Sequence, residues 1–241
     1  MNAVESGDAD EGIIPIENSL EGPVTSTVDL LIHVSNLMIR HERVLKIEHC
    51  LLTKPDTSIN LVKSIYSHPQ ALAQCRNFLE ESFAQTQLIA TMSTSSAVEQ
   101  MLQSDAPAAA IANERCASIY GVQIFKKNVE DDPNNQTRFV VMATSDHVPT
   151  GSDKTSICFD FDSDSPGILY TVLGEFAKRS INLTKIESRP MRKTLGRYIF
   201  LVDLEGHRED DSVKEALQYV ESHASLFKVF GSYPMQVSSS I

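Results

Sequence analysis

The chain has 241 residues, 41% hydrophobic and 22% charged, enough to bury a core in one large domain or two ordinary ones. With 32 acidic against 21 basic residues the formal charge is −11, and no lysine-arginine cluster stands out, which argues against a polyanionic partner such as nucleic acid. MNAVESGDAD lacks the basic start and apolar core of a signal peptide, apolar runs are short, and Cys50, Cys75, Cys116 and Cys158 each lie more than twenty residues from the next; the reading is a soluble, cytoplasmic protein with reduced, buried thiols.

In chain order, short apolar runs alternate with amphipathic stretches through the first 145 residues: GIIPI (12–16), VTSTVDLLI (24–32), VLKIEHCLL (44–52), SIYS (64–67), PQALAQCRNFLEESF (69–83), QLIAT (87–91), SAVEQMLQS (96–104), AAAIA (108–112), ERCASIYG (114–121) and FVVMAT (139–144). This is the β-α-β-α rhythm of a doubly wound sheet. TSDHVPTGSDK (144–154) reads as a linker. Beyond it come strand 155–162, helix 165–180, strand 182–190, a basic turn ending at Gly196, strand 197–206, helix 210–224 and strand 227–234. That βαββαβ order is the ferredoxin-like α+β sandwich.

An anionic substrate must be held against the overall charge by local devices, such as helix N-termini or one placed arginine. Three strand-to-helix junctions carry small polar groups: YSHPQ (66–70), MSTSSAVE (92–99) and IANERC (111–116). Ser67 with Pro69 inside the helix, and Ser96 three residues before Glu99, have the pattern of caps. Capping is the plain account of each; a shared carboxylate site is the other. Glu17 and Asn18 follow GIIPI where the chain leaves the sheet, and His68 reads either as a general base or as a capping residue. Metal, nucleotide-loop and hydrolase-elbow motifs are absent.

GIIPIENSLEGPV, IYSHPQALAQC, AAAIANERCASIYG, DDPNNQTRFVVM, PGILY and KIESRP, in that order, resemble the prephenate dehydratase family fused to an ACT regulatory domain. The resemblance implies a two-lobed, type II periplasmic-binding-protein-like α/β catalytic domain over 1–146, a linker over 147–154 and an ACT domain over 155–241. It implies decarboxylating dehydration of prephenate to phenylpyruvate, with Thr137 giving a proton to the departing hydroxyl. Glu17, Asn18, Ser67, Gln70, Gln74, Ser95 and Ser96 would line the cleft, and Arg138 and Phe139 would shape its wall. Gln70 and Gln74 are four apart on one helical face. No cofactor or metal is implied, because no step needs an electron sink or a Lewis acid.

For the second domain the resemblance implies allosteric binding of phenylalanine between paired ACT domains. Gly167, Ile168 and Leu169 would form the turn beside Asn182, and Glu187, Ser188, Arg189 and Pro190 would close the site. Two sheets side by side would make an eight-stranded sheet, so a homodimer or homotetramer is expected.

The family's chains open with a strand and a GPxGTFS-like turn, followed by a helix and a second strand, whereas MNAVESGDADEG corresponds to the end of that helix. The expectation is a shortened catalytic lobe, from a truncated or misassigned gene product read from an internal methionine, with an open apolar sheet edge. Two other readings stand beside prephenate turnover: a catalytically inactive phenylalanine-binding chain, and an arogenate dehydratase.

Overall fold

Successive residues of a strand face opposite sides of its sheet, and the faces so created decide which residues meet. The computed structural model describes residues 1–162, 165–191 and 197–236. They form two units, Met1–Leu45 with Thr137–Ile241, and Lys46–Gln136. The basic turn at 192–196, with Gly196, lies outside the described residues.

The first unit begins with α1 (Asn2–Glu5), β1 (Gly12–Asn18), β2 (Gly22–Pro23), α2 (Thr25–His33) and β3 (Met38–Lys46). The second unit carries β4 (Cys50–Thr53), β5 (Ser64–Ser67), α3 (Pro69–Gln74), α4 (Arg76–Phe83), β6 (Gln87–Ala90), α5 (Thr94–Gln103), β7 (Ala108–Ala112), α6 (Glu114–Tyr120) and β8 (Gln123–Lys127). The chain then completes the first unit with β9 (Gln136–Ala143), β10 (Asp153–Asp160), α7 (Ile168–Lys178), β11 (Leu183–Pro190), β12 (Tyr198–Glu205), α8 (Asp211–His223) and β13 (Leu226–Pro234).

In the second unit the sheet order is β6-β5-β7-β4-β8, with β5 parallel to β6 and β7, and β4 antiparallel to β7 and β8. Strand β7, AAAIA, is wholly buried. Its Ala108, Ala110 and Ala112 pack with Val98 and Met101 on one face, while Ala109 and Ile111 pack with Leu51, Ile65 and Leu79 on the other. A strand covered on both faces needs this unbroken apolar run, and its alanines let the covering helices come close. The run VLKIEHCLL, read as one segment, is split between β3 and β4. The stretch 69–83 is likewise two helices, broken at Cys75, whose ψ of 22° leaves the helical range.

The first unit holds two four-stranded sheets, ordered β2-β1-β9-β3 and β11-β12-β10-β13. The second of these is antiparallel throughout, and with α7 and α8 it is the βαββαβ sandwich expected from the sequence. Val172 and Phe176 of α7, and Val213, Ala216, Leu217 and Val220 of α8, cover one of its faces, with Ile157, Phe159 and Val202 beneath them. The other face is turned away from α7 and α8. There Cys158, Leu201, Phe230 and Tyr233 pack in one core with Ile16, Val28, Leu31, Ile39, Val140 and Met142, so the two sheets of this unit share an interior. Each fully buried side chain of this kind contributes about 1.5–3 kcal/mol.

Two features secure that packing. Lys228 on β13 donates to the carbonyls of Leu31 and Ser35, both at 2.6 Å, and so closes the C-terminal end of α2. Gly231 on β13 runs against the backbone of Ile39, in a left-handed conformation with φ of +145°.

Candidate functional site

Strands β1 and β9 are antiparallel neighbours whose register sets Asn18 opposite Thr137 and Glu17 opposite Arg138, just past an irregularity between Pro15 and Glu17. Asn18 is buried, and its Nδ2 donates to Thr137 Oγ1 at 2.9 Å. The orientation of that amide is set locally, because Asn18 Oδ1 accepts from the backbone N–H groups of Leu20 at 3.0 Å and Glu21 at 3.2 Å. The Asn-Ser-Leu-Glu turn after β1 thus orients a side chain that acts across the sheet. In this bond Thr137 accepts, so its own O–H is left to donate elsewhere.

On the opposite face of the same two strands Arg138 is buried, and its guanidinium is engaged by the protein. Nε donates to Glu42 at 2.8 Å, Nη1 to Asp203 at 2.6 Å and Nη2 to the Tyr233 hydroxyl at 2.8 Å. Glu17 lies 3.5 Å from Nη1 and also pairs with Lys185. Glu42 further receives Lys154 Nζ at 2.9 Å, while Ser156 Oγ lies 2.5 Å from both Asp203 and Tyr233. Burial by itself would push the Arg138 pKa down; Tyr233, Asp203 and Glu42 reverse that and hold it above the ordinary arginine value. The Tyr233 phenol is pushed up, by burial first and by Asp203 second.

Arg138 was expected on a cleft wall, but it faces this interior network, because strand alternation sends it to the opposite side from Thr137. Phe139 is half-buried opposite Pro15. Glu42 and Lys185, the partners of the predicted residues, were not legible as such in the sequence. Their pairings with Arg138 and Glu17 span 96 and 168 residues.

In the second unit Ser67 is fully buried at the end of β5, and its hydroxyl donates to the Ile111 carbonyl at 2.7 Å. The cap of α3 is therefore not Ser67 but His68, whose side chain accepts from Gln70 N ahead of Pro69. Gln70 is exposed; Gln74, four residues on, has its Oε1 3.0 Å from Nε2 of the buried His49.

Helix α5 starts earlier than the Ser96–Glu99 pattern indicated. Ser93 is its cap and Ser96, at the third position, closes the capping box; Glu99 instead accepts from the Tyr120 hydroxyl at 2.9 Å. Ser95 is exposed, 3.8 Å from Cys116 Sγ.

In the βαββαβ sandwich a cavity of about 400 Å³ opens at the start of α7, lined among others by Gly167, Ile168, Leu169, Arg197, Tyr198 and Phe200. Gly167 caps α7 with φ of +87°, a conformation glycine adopts without penalty. The other predicted effector residues do not line this cavity within one chain. Asn182 donates to Glu205 at 2.8 Å. After a register shift between Leu183 and Lys185, Glu187 and Arg189 stand opposite Leu201 and Ile199, on the face turned away from α7 and α8. Arg189 pairs there with Asp29 at 3.2 Å, and Glu187 with Lys185 at 3.3 Å. Ser188 and Pro190 are exposed, opposite Phe200 and Tyr198 of the cavity wall.

The sequence profile of the prephenate dehydratase family matches residues 1–147, and that of the ACT domain matches 163–222. The bifunctional chorismate mutase/prephenate dehydratase of Aquifex aeolicus is 46% identical over 96% of this chain, which spans 63% of that relative's length. The prephenate dehydratase of Methanocaldococcus jannaschii is 40% identical over 93% of this chain and 81% of its own. A solved prephenate dehydratase from Arthrobacter aurescens, in complex with L-Phe, superposes with a TM-score of 0.86 at 34% identity, over 97% of this chain and 78% of that one. A structure described as GqqA, a novel type of quorum quenching acylase, superposes at 0.83 with 30% identity, over 98% of this chain and 85% of its own. With the catalytic segment matched in sequence and the whole fold matched in space, the chain belongs to the prephenate dehydratase family and carries a C-terminal ACT domain.

Proposed function

We propose that this chain converts prephenate to phenylpyruvate, carbon dioxide and water, with Thr137 as proton donor to the departing hydroxyl. The observation that carries the reading is the direction of the Asn18–Thr137 hydrogen bond: Asn18 donates, so the threonine proton is available to a third group. A free threonine hydroxyl is a feeble acid, so it acts as a placed donor whose proton moves as the leaving oxygen becomes hydroxide-like. Aromatisation of the ring supplies the driving force, and the protein has to orient the breaking bonds. Gln70, Gln74, Ser95 and Ser96 of the second unit are the proposed substrate-binding residues there. Ser67, whose proton is committed to Ile111, serves as an acceptor or as a scaffold.

The test is phenylpyruvate formation from prephenate by the purified chain, with arogenate assayed in parallel. Turnover of prephenate supports the reading, preferential turnover of arogenate redirects it, and phenylalanine binding without either turnover leaves the regulatory reading. The likeness to an acylase makes amide hydrolysis the second enzymatic reading. A donating partner such as Asn18 does not activate a hydroxyl as a nucleophile, which favours the lyase.

Phenylalanine is the proposed effector, held at the cavity by the Gly167 turn; the soluble assembly is a homo-oligomer joined through the edge strand β11. A Gly167→Val variant places a β-branched residue at φ of +87°, although the space around it is open. Calorimetric titration is expected to show phenylalanine binding weakened about tenfold or more, the strain being about 1–3 kcal/mol, with basal turnover retained. Unchanged binding would remove Gly167 from the site.

A further inference from the structure

We propose that Tyr233 and Asp203, two residues of the ACT sheet, are positioning residues for catalysis: through Arg138 they hold the Asn18–Thr137 pair in place. The inference rests on the reading of Thr137 as proton donor. Strands β1 and β9 present Asn18 and Thr137 on one face, and their immediate neighbours Glu17 and Arg138 on the other. Movement of that second pair is therefore movement of the first. Arg138 is a planar fork fixed in three directions, by Glu42, by Asp203 on β12 and by Tyr233 on β13. Ser156 ties the last two together, and Lys185 on β11 holds Glu17 from the same side.

Each strand of the ACT sheet thus contributes a group to the back of the Asn18–Thr137 register. An interior ion cluster is weak evidence for stability, because desolvation offsets its attraction, but it specifies direction well. Here the direction specified is that of the strand end carrying Thr137. On this account the ACT sheet is part of the catalytic scaffold with or without an effector.

The experiment is a cycle in the full-length chain. Tyr233→Phe keeps the buried ring and removes the hydroxyl that receives Arg138. Its kcat for prephenate is expected to fall on the order of tenfold with KM unchanged, since a displaced donor loses rate more than binding. In a Thr137→Ala background the same change is expected to have no further effect. Val220→Ala, on the helix-covered face, lowers stability without altering kcat and so separates positioning from general loosening. A Tyr233→Phe enzyme with wild-type kcat, or one losing the same fraction of the residual rate in the Thr137→Ala background, overturns the proposal. Should wild type and Thr137→Ala turn over prephenate equally, or not at all, the donor reading fails by itself. The methyl resonance of Thr137 then decides positioning: a shift in Tyr233→Phe upholds it, and an unmoved resonance overturns it.

Discussion

Replacing Thr137 by alanine is expected to lower kcat by about 10²–10⁴-fold while leaving KM within about twofold of wild type, the range for loss of a positioned proton donor. At the lower end this is roughly 2.7 kcal/mol of transition-state stabilisation. The reason for a loss in kcat alone lies in the chemistry. The hydroxyl makes its strongest interaction only once the leaving oxygen carries charge. Thr137→Ser retains the O–H and the acceptor for Asn18, so it is expected to recover most of the rate. Asn18→Ala leaves the donor chemistry intact but frees the hydroxyl to turn, and an intermediate loss is expected. Initial rates of phenylpyruvate formation at saturating and at low prephenate measure all three. A Thr137→Ala enzyme with undiminished kcat would remove Thr137 from the chemistry.

The largest effect on stability is expected at Gly231. A Cβ built there meets Ile39 O at 2.3 Å and Ile39 N at 2.7 Å, and both are backbone atoms that no rotamer change can move aside. The φ of +145° adds a conformational penalty for any other residue. Gly231→Ala is expected to cost about 3 kcal/mol or more, because overpacking and backbone strain add at one position. For a chain of this size that lowers the melting temperature by about 10 °C. Thermal unfolding followed by circular dichroism reads it directly, and an unchanged melting point would mean that β13 does not run against Ile39. Tyr233 lies two residues beyond Gly231 on the same strand. Activity below the new transition is therefore expected to fall as well, and a shift in melting with wild-type kcat would separate packing from positioning.

Much of the fold was legible because its signals are local. The βαββαβ order of the second domain follows from strand alternation and helical periodicity, and the structure reproduces it strand by strand. Asn113, which accepts from Cys116 N, and Gly121, left-handed with φ of +65°, delimit α6 as their residue types indicate. The chain departs from the local pattern where two local signals compete. At α5 a run of serines offered two starts, and Ser93 prevailed because Ser96 completes a reciprocal box with it, while Glu99 finds Tyr120 instead. At α3 a histidine nitrogen took the capping role that the serine pattern had implied, since Ser67 was already bonded across the sheet to Ile111.

The candidate site divides along the same line. The sequence by itself determined the family, through IEN, SHPQ, TRF and ESRP in order, and with it the choice of Thr137, since those motifs are short and contiguous. The structure adds that the turn after β1 orients Asn18, through bonds confined to residues 18 to 21. Only the tertiary structure decided what Arg138 does. Its partners Glu42, Asp203 and Tyr233 come from distant strands, and the face it occupies depends on a register that one residue of slippage would invert. The same holds for Glu187 and Arg189. Their motif is plain in the sequence, yet a shift in register after Leu183 turns both toward the face away from α7 and α8, where Lys185 and Asp29 meet them. Local chemistry named these residues, and long-range pairing of strands chose their neighbours.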